Sequence, residues 1–258
     1  MKFTIQNHGA AVLLLFTALF SCSVSHAADK KDKDKDKANT PPPQTVDSGA
    51  FGIFVKGQRV ATETFRIDQQ NGTSIIKSQL KETAAPNSAV QKSELEMTSN
   101  GELLRYEWSQ ASGGSLSVAP SNDFLMERMT ASGTGKPAEQ PFLMPSTTAI
   151  LDNNFFVHRE VLAWRYLAAD CKREGGALKC QQGPAQFGAL VPQDHNSISV
   201  RLELLGKEKI KVRGAERELL RLNLAGESFE WALWVDDQDQ FKLIRVAIPA
   251  DDTEVVRD

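Results

Sequence analysis

Histidine is scarce in this chain, with four in 258 residues, and two of them, His8 and His26, fall in the first 27. Nucleophilic catalysis of the Ser-His-Asp or Cys-His kind needs an imidazole as base. Once the N-terminal segment is removed, only His158 and His195 could serve. His158 sits among apolar residues, as a core or pocket-lining side chain. His195 lies in Val-Pro-Gln-Asp-His-Asn-Ser, which reads as a polar turn before a strand. A basic excess is also missing. Loss of Lys2 takes the basic count from 30 to 29 against 33 acidic residues, a balance of −4 without a basic stripe, which argues against nucleic acid as a partner. Long hydrophobic runs are missing too. The run Ala10–Phe20 has 11 residues, whereas a membrane helix needs roughly 20.

Chemically specific motifs are equally sparse. No Gly-x-Ser-x-Gly elbow occurs. Ser132-Gly133-Thr134-Gly135-Lys136 resembles the end of a phosphate loop, but Thr130 and Pro137 stand where that loop needs glycine and a hydroxyl residue. Asp236-Asp237-Gln238-Asp239 lacks the glycine and distal glutamate of a calcium loop and reads as a solvated turn. The remaining carboxylates, Glu94 and Glu96 among them, fall on polar strand faces with no acid/base pairing. The expectation is a non-catalytic protein that uses neither a metal nor a cofactor.

What is present begins with an export signal. Lys2, the 11-residue apolar run and Ser25-His26-Ala27 give the charge, core and small-residue cleavage site of a secretory signal over residues 1–27. Leu19-Phe20-Ser21-Cys22 resembles the lipobox of bacterial lipoproteins, with Phe20 departing from its usual small or β-branched residue. Two processing points therefore stay open, after Ala27 or before a lipidated Cys22, and a membrane contact would come only through that anchor. The expected location is the periplasm or the outer membrane, with secretion as the further outcome. Residues 28–45 read as a flexible linker. Five Lys and four Asp alternate from Asp29 to Lys37, and Pro41-Pro42-Pro43 follows.

Cys171 and Cys180 then remain, symmetric about Gly175-Gly176. A two-residue turn at Gly-Gly would set them opposite each other on neighbouring strands. In an oxidising compartment such a pair most simply forms a disulfide. Zinc is the alternative, but eight residues between the cysteines does not fit common zinc knuckles.

From residue 46 to 258 a period-2 pattern dominates and predicts a single antiparallel β domain. Asn71-Gly72 and Asn100-Gly101 mark hairpins, and Gly57 another. Ile198, Val200, Leu202 and Leu204 alternate with polar residues as in a half-buried strand. Arg217–Leu224, Phe229–Val235 and Phe241–Ile248 continue the meander. The exception is a helix over about 152–169, with Asp152 as its N-cap. Its apolar residues point in several directions, Leu151, Phe155 and Leu162 one way and Val157, Val161 and Trp164 another, as in a buried helix. The fold class expected is therefore mainly β, a curved antiparallel sheet (half-barrel or open barrel) around one central α-helix.

The aromatic residues suggest what such a sheet could hold. Trp164 and Tyr166 lie on the helix, Phe229 and Trp231 share one strand face, and Trp234 points to the other. Phe155, His158, Trp164 and Trp231 are the candidates to line a pocket for a lipid-like apolar ligand between sheet and helix. Two segments add a resemblance. Phe51–Ile67, with Phe-Gly-Ile-Phe-Val-Lys-Gly-Gln-Arg-Val, resembles the opening hairpin of a set of uncharacterised bacterial exported β proteins, and Leu233-Trp-Val-Asp with Leu243–Ile248 resembles their closing hairpin. Those proteins in turn look like the periplasmic lipoprotein carriers, whose curved half-barrel wraps a helix and an acyl-chain cavity. The resemblance covers about 40 residues, includes no chemically specific motif and transfers no functional residue. The expected function is ligand binding in the envelope; the alternative is a structural or assembly factor acting through protein contacts.

Overall fold

A computed structural model describes residues 42–84, 90–131, 133, 136–175 and 177–258. The export segment, Cys22 and the charged linker up to Pro41 lie outside the described residues, as do residues 132, 134 and 135.

The strands follow the alternation of apolar side chains. They are β1 (Gln44–Val55), β2 (Gln58–Gln70), β3 (Thr73–Glu82), β4 (Val90–Thr98), β5 (Leu103–Gln110), β6 (Ser115–Ser121), β7 (Phe124–Thr130), β8 (Ala138–Phe142) and β9 (Ala149–Ile150). After the helix α1 (Val157–Asp170) come β10 (Cys171–Glu174), β11 (Ala177–Cys180), β12 (Ala185–Val191), β13 (Asn196–Val212), β14 (Ala215–Ala225), β15 (Glu230–Asp236), β16 (Lys242–Ile248) and β17 (Thr253–Arg257). Fifteen strands form one sheet in the order β8-β7-β6-β5-β4-β3-β2-β1-β17-β16-β15-β14-β13-β12-β9. Each neighbouring pair is antiparallel except β12 with β9. β17 pairs with β1, so the C-terminal strand joins the two halves of the meander in the middle of the sheet.

The sheet is curved and does not close into a barrel. Its edges, β8 and β9, are separated in sequence by only six residues, Leu143–Thr148, yet share no ladder. Short edges, one of them carrying Pro141, offer little template for another chain. Side chains draw the two ends together instead. His195 Nδ1 lies 2.9 Å from Glu127 Oε2 on β7, and Gln140 on β8 donates to the His195 carbonyl at 3.3 Å.

The hairpin signals have clear physical reasons. Asn71 (φ 51°) and Gly72 (φ 76°) both occupy the left-handed region in the two-residue turn between β2 and β3. Asn100-Gly101 sits instead in the longer connection between β4 and β5, where only Gly101 (φ 83°) is left-handed. Cys171 faces Cys180 across the β10–β11 hairpin, and a disulfide joins them. Their sequence separation of 9 closes a short loop. Replacing both by serine is expected to lower the unfolding free energy by about 2–3 kcal/mol in a urea titration.

One concave face packs on α1. Phe51, Phe65, Ile67, Ile76, Leu95, Tyr106, Val118, Leu202, Leu222, Leu233 and Val246 share a buried cluster with Phe155, Val157, Leu162, Ala163 and Tyr166. The helix begins at Val157, five residues after Asp152, so Asp152 is not its cap. Asp152 is instead fully buried, accepting from the Asn154 N–H at 2.7 Å and from the Tyr106 hydroxyl and the Gln193 amide. Phe156 occupies the N-cap and offers no side-chain acceptor.

A smaller apolar cluster lies on the opposite face. A bulge between Leu204 and Gly206 shifts the register of β13, so Val200 and Leu202 face the helix while Ile210 and Val212 face away. They pack with Leu219, Trp234 and Ile244. The Trp234 ring lies between the guanidinium groups of Arg221 and Arg245, 5.7 and 5.0 Å from its centre, and its Nε1–H donates to Glu208. The protein's own arginines thus cover the outward-pointing tryptophan.

Candidate functional site

Polar groups hold the first turn of α1 in an otherwise apolar interior. Glu63 falls in the inward row of β2, between Ala61 and Phe65, and is fully buried. Its carboxylate accepts the Phe156 N–H at 2.6 Å, the Val157 N–H at 3.3 Å and the Ser78 hydroxyl of β3 at 2.6 Å. A strand side chain thus satisfies the free amides of the helix N-terminus, where negative charge is favoured. Burial nevertheless dominates and raises the Glu63 pKa to about 7.

Two further charged residues on the helix are buried. Arg159 donates to the carbonyls of Asp152 and Phe155, and its guanidinium lies 5.2 Å from the Phe156 ring centre and 5.0 Å from that of Trp231. Glu160 accepts from the Leu243 N–H at 3.2 Å and from Arg257 at 3.4 Å. Arg257 Nη2 also donates to both carboxylate oxygens of Asp47, at 2.6 and 2.8 Å, tying β17, β1 and α1 together.

His158 is buried against Tyr106, with ring centres 5.7 Å apart, and Phe155. Neither ring nitrogen has a hydrogen-bond partner among the described residues. Burial lowers its pKa to about 3, so the imidazole is neutral at any physiological pH. A neutral buried ring with no nucleophile or carboxylate bonded to it is built as a packing group.

The other half of the helix borders open space. A cavity of about 490 Å³ lies beside Trp164, between α1 and the sheet. Ile67 and Ile76, Met97, Val161, Trp164 and Phe187 give it apolar walls, and Ala168 and Ala169 lie toward its opening. Gln69, Ser74, Thr98, Ser99, Asn100 and Arg165 supply its polar lining. The Trp164 indole N–H donates to the Phe241 carbonyl at 2.9 Å, which fixes the ring. A narrow void of about 10 Å³ continues toward His158 and shares Met97, Val161 and Arg165 with the cavity.

Of the four pocket residues expected from the sequence, Trp164 lines this cavity. His158 lines the narrow void, while Phe155 and Trp231 lie nearer the helix N-terminus, the Trp231 ring tilted against Phe229 with centres 4.9 Å apart. Sequence reasoning missed Glu63, Arg165 and Phe187. Glu63 carried a signal, a charged residue at an inward position of an alternating strand. Phe187 and Arg165 carried none, because they meet the cavity only through the return of β12 past the helix.

A broader depression of about 900 Å³ lies on the outer face of β2–β7. Its charged walls pair with neighbouring side chains, Lys77 with Glu94 and Arg128 with Glu139. Polar partners already in place make it a solvated surface, so the cavity beside Trp164 is the better candidate. Among the described residues no group of three His, Cys, Asp or Glu side chains is placed to hold a metal ion, and no helix is long and apolar enough to cross a membrane. No family model matches the chain, and no curated protein or solved structure matches it.

Proposed function

We propose that this is a non-catalytic exported protein of the cell envelope that binds a lipid-like apolar ligand between helix and sheet, the sheet serving as a half-barrel. One observation carries the reading: a cavity of about 490 Å³ with apolar walls, beside Trp164, bordering the buried apolar cluster between helix and sheet. Its volume lies within the roughly 300–1,000 Å³ of small-molecule sites. The sheet's curvature supports the half-barrel description, because its two ends approach each other through Glu127, Gln140 and His195. The export signal and the Cys171–Cys180 disulfide support an oxidising compartment.

The test is binding of a fluorescent fatty-acid probe to delipidated protein, with native mass spectrometry of protein prepared from the envelope. Saturable binding and a co-purifying lipid are expected. Ala168→Phe would fill the mouth from an exposed helix position. It is expected to weaken probe binding at least about tenfold while changing stability by less than about 1 kcal/mol. Absence of both probe binding and bound lipid would leave the structural or assembly role as the better reading.

A further inference from the structure

The polar lining of the cavity includes one cation with an unusual environment. Arg165 is half-buried on the last part of α1 and borders both the main cavity and the narrow void. Its Nη2 donates to the Thr147 carbonyl at 2.7 Å, and the guanidinium lies 5.9 Å from the Phe187 ring centre. No carboxylate pairs with it among the described residues, and burial alone lowers its pKa. The other arginines around the helix are matched differently. Arg257 has Asp47 and Glu160, and Arg159 is offset by the nearby charges of Asp152 and Glu63.

A guanidinium taken partly out of water is stabilised when its donors meet an anion. Arg165 has five N–H donors, and among the described residues its hydrogen bond to the Thr147 carbonyl engages one of them. Gly101 helps to seat it. A Cβ there would lie 2.8 Å from Arg165 Nε, and the backbone φ of 83° also favours glycine. Thr98, Ser99 and Asn100 stand next to that position, adding hydrogen-bonding groups beside the cation.

We propose that the ligand is a single-chain anionic amphiphile, with its chain against Trp164, Ile67 and Ile76 and its anionic head on Arg165. This rests on the binding function proposed above and specifies its ligand. The volume supports one chain. About 490 Å³ lies within the roughly 300–1,000 Å³ range of sites that hold one small molecule.

The head could be a carboxylate or a phosphate, and the experiment separates them. Delipidated full-length mature protein is titrated at pH 8 with hexadecanoate, hexadecyl phosphate and hexadecanol, each by displacement of a fluorescent fatty-acid probe. Both anions, or one of them, are expected to bind at least about tenfold more tightly than the alcohol; the tighter anion identifies the head group. In Arg165→Met the ratio of anion to alcohol affinity is expected to fall to about one, with Arg165→Lys between. Using the ratio separates loss of head-group recognition from general damage to the cavity. Equal binding of alcohol and anions by the unaltered protein, or an unchanged ratio in Arg165→Met, would overturn the proposal while leaving apolar binding intact. Binding of none of the three would overturn both readings.

Discussion

Replacing Glu63 by glutamine is expected to stabilise the protein progressively as the pH rises from 4.5 to 7. The folded-state pKa of Glu63 is raised from 4.5 to about 7, with burial as the largest cause. Below pH 4.5 the carboxyl is protonated in both folded and unfolded chains and contributes no pH dependence. Between pH 4.5 and 7 the folded chain holds a proton that the unfolded chain has released, so stability is lost as the pH rises. Above pH 7 the loss is complete, about 3 kcal/mol for a shift of this size.

Glutamine does not titrate and keeps an acceptor for the Phe156 N–H and a group for Ser78. It forgoes the longer contact to Val157, a pH-independent loss of about 1 kcal/mol. The net expectation is a variant slightly less stable at pH 4 and about 2 kcal/mol more stable at pH 8. Urea titrations across that range would show it, and a constant difference between the two proteins would sink the assignment. His158 acts in the opposite sense. Its pKa is lowered to about 3, so stability falls as the pH drops below 6.5, but it does so in both proteins and cancels from the difference.

A larger loss is expected from Arg257→Ala. Arg257 is the common partner of Asp47 on β1 and Glu160 on α1, and both carboxylates are almost wholly excluded from water. Removing the guanidinium leaves this buried acidic pair without its donor and counter-charge, since Lys242 approaches Asp47 only to 4.0 Å. Breaking a buried pair from one side costs about 3–5 kcal/mol. Glu160 already binds its proton well above the usual carboxylate range, because burial outweighs the attraction of Arg257. Denaturant midpoints at pH 7 would measure the loss. Arg257→Lys should fall between alanine and the native arginine, because one ammonium nitrogen cannot replace both Nη2 on Asp47 and Nη1 on Glu160. A loss under about 1 kcal/mol for Arg257→Ala would mean that the cluster is solvated rather than buried.

Much of the fold could be read locally. Asn71-Gly72 specifies a tight turn because both residues accept positive φ, and the apolar residues of β2, β3 and β4 alternate with period two. The hairpin of Cys171 and Cys180 follows from its central glycines. The helix was legible from its lack of glycine and proline, but its start was not. Asp152 has the chemistry of an N-cap, yet its carboxylate is taken by Tyr106 and Gln193, residues 46 and 41 positions away. The cap comes from Glu63, 93 residues before Phe156.

The candidate site was less legible than the fold. Trp164 was identified because an aromatic on a buried helix stands out in the sequence. Arg165 carried no signal in the sequence, and its setting is visible only once β12 and the β4–β5 turn surround it. Likewise Trp234 lacked a cover in the sequence, whereas the bulge at Leu204 and Gly206 supplies one by turning Ile210 and Val212 to its face.

By itself, then, the sequence determined the β class, the hairpin turns, the helix and the cysteine pairing. Each depends on backbone preference or side-chain period over a few residues. Tertiary structure decided where the helix begins, which charges are buried and paired, and where the interior is left open. Those depend on groups far apart in the chain, whose desolvation and pairing energies exist only after the sheet has curved around the helix.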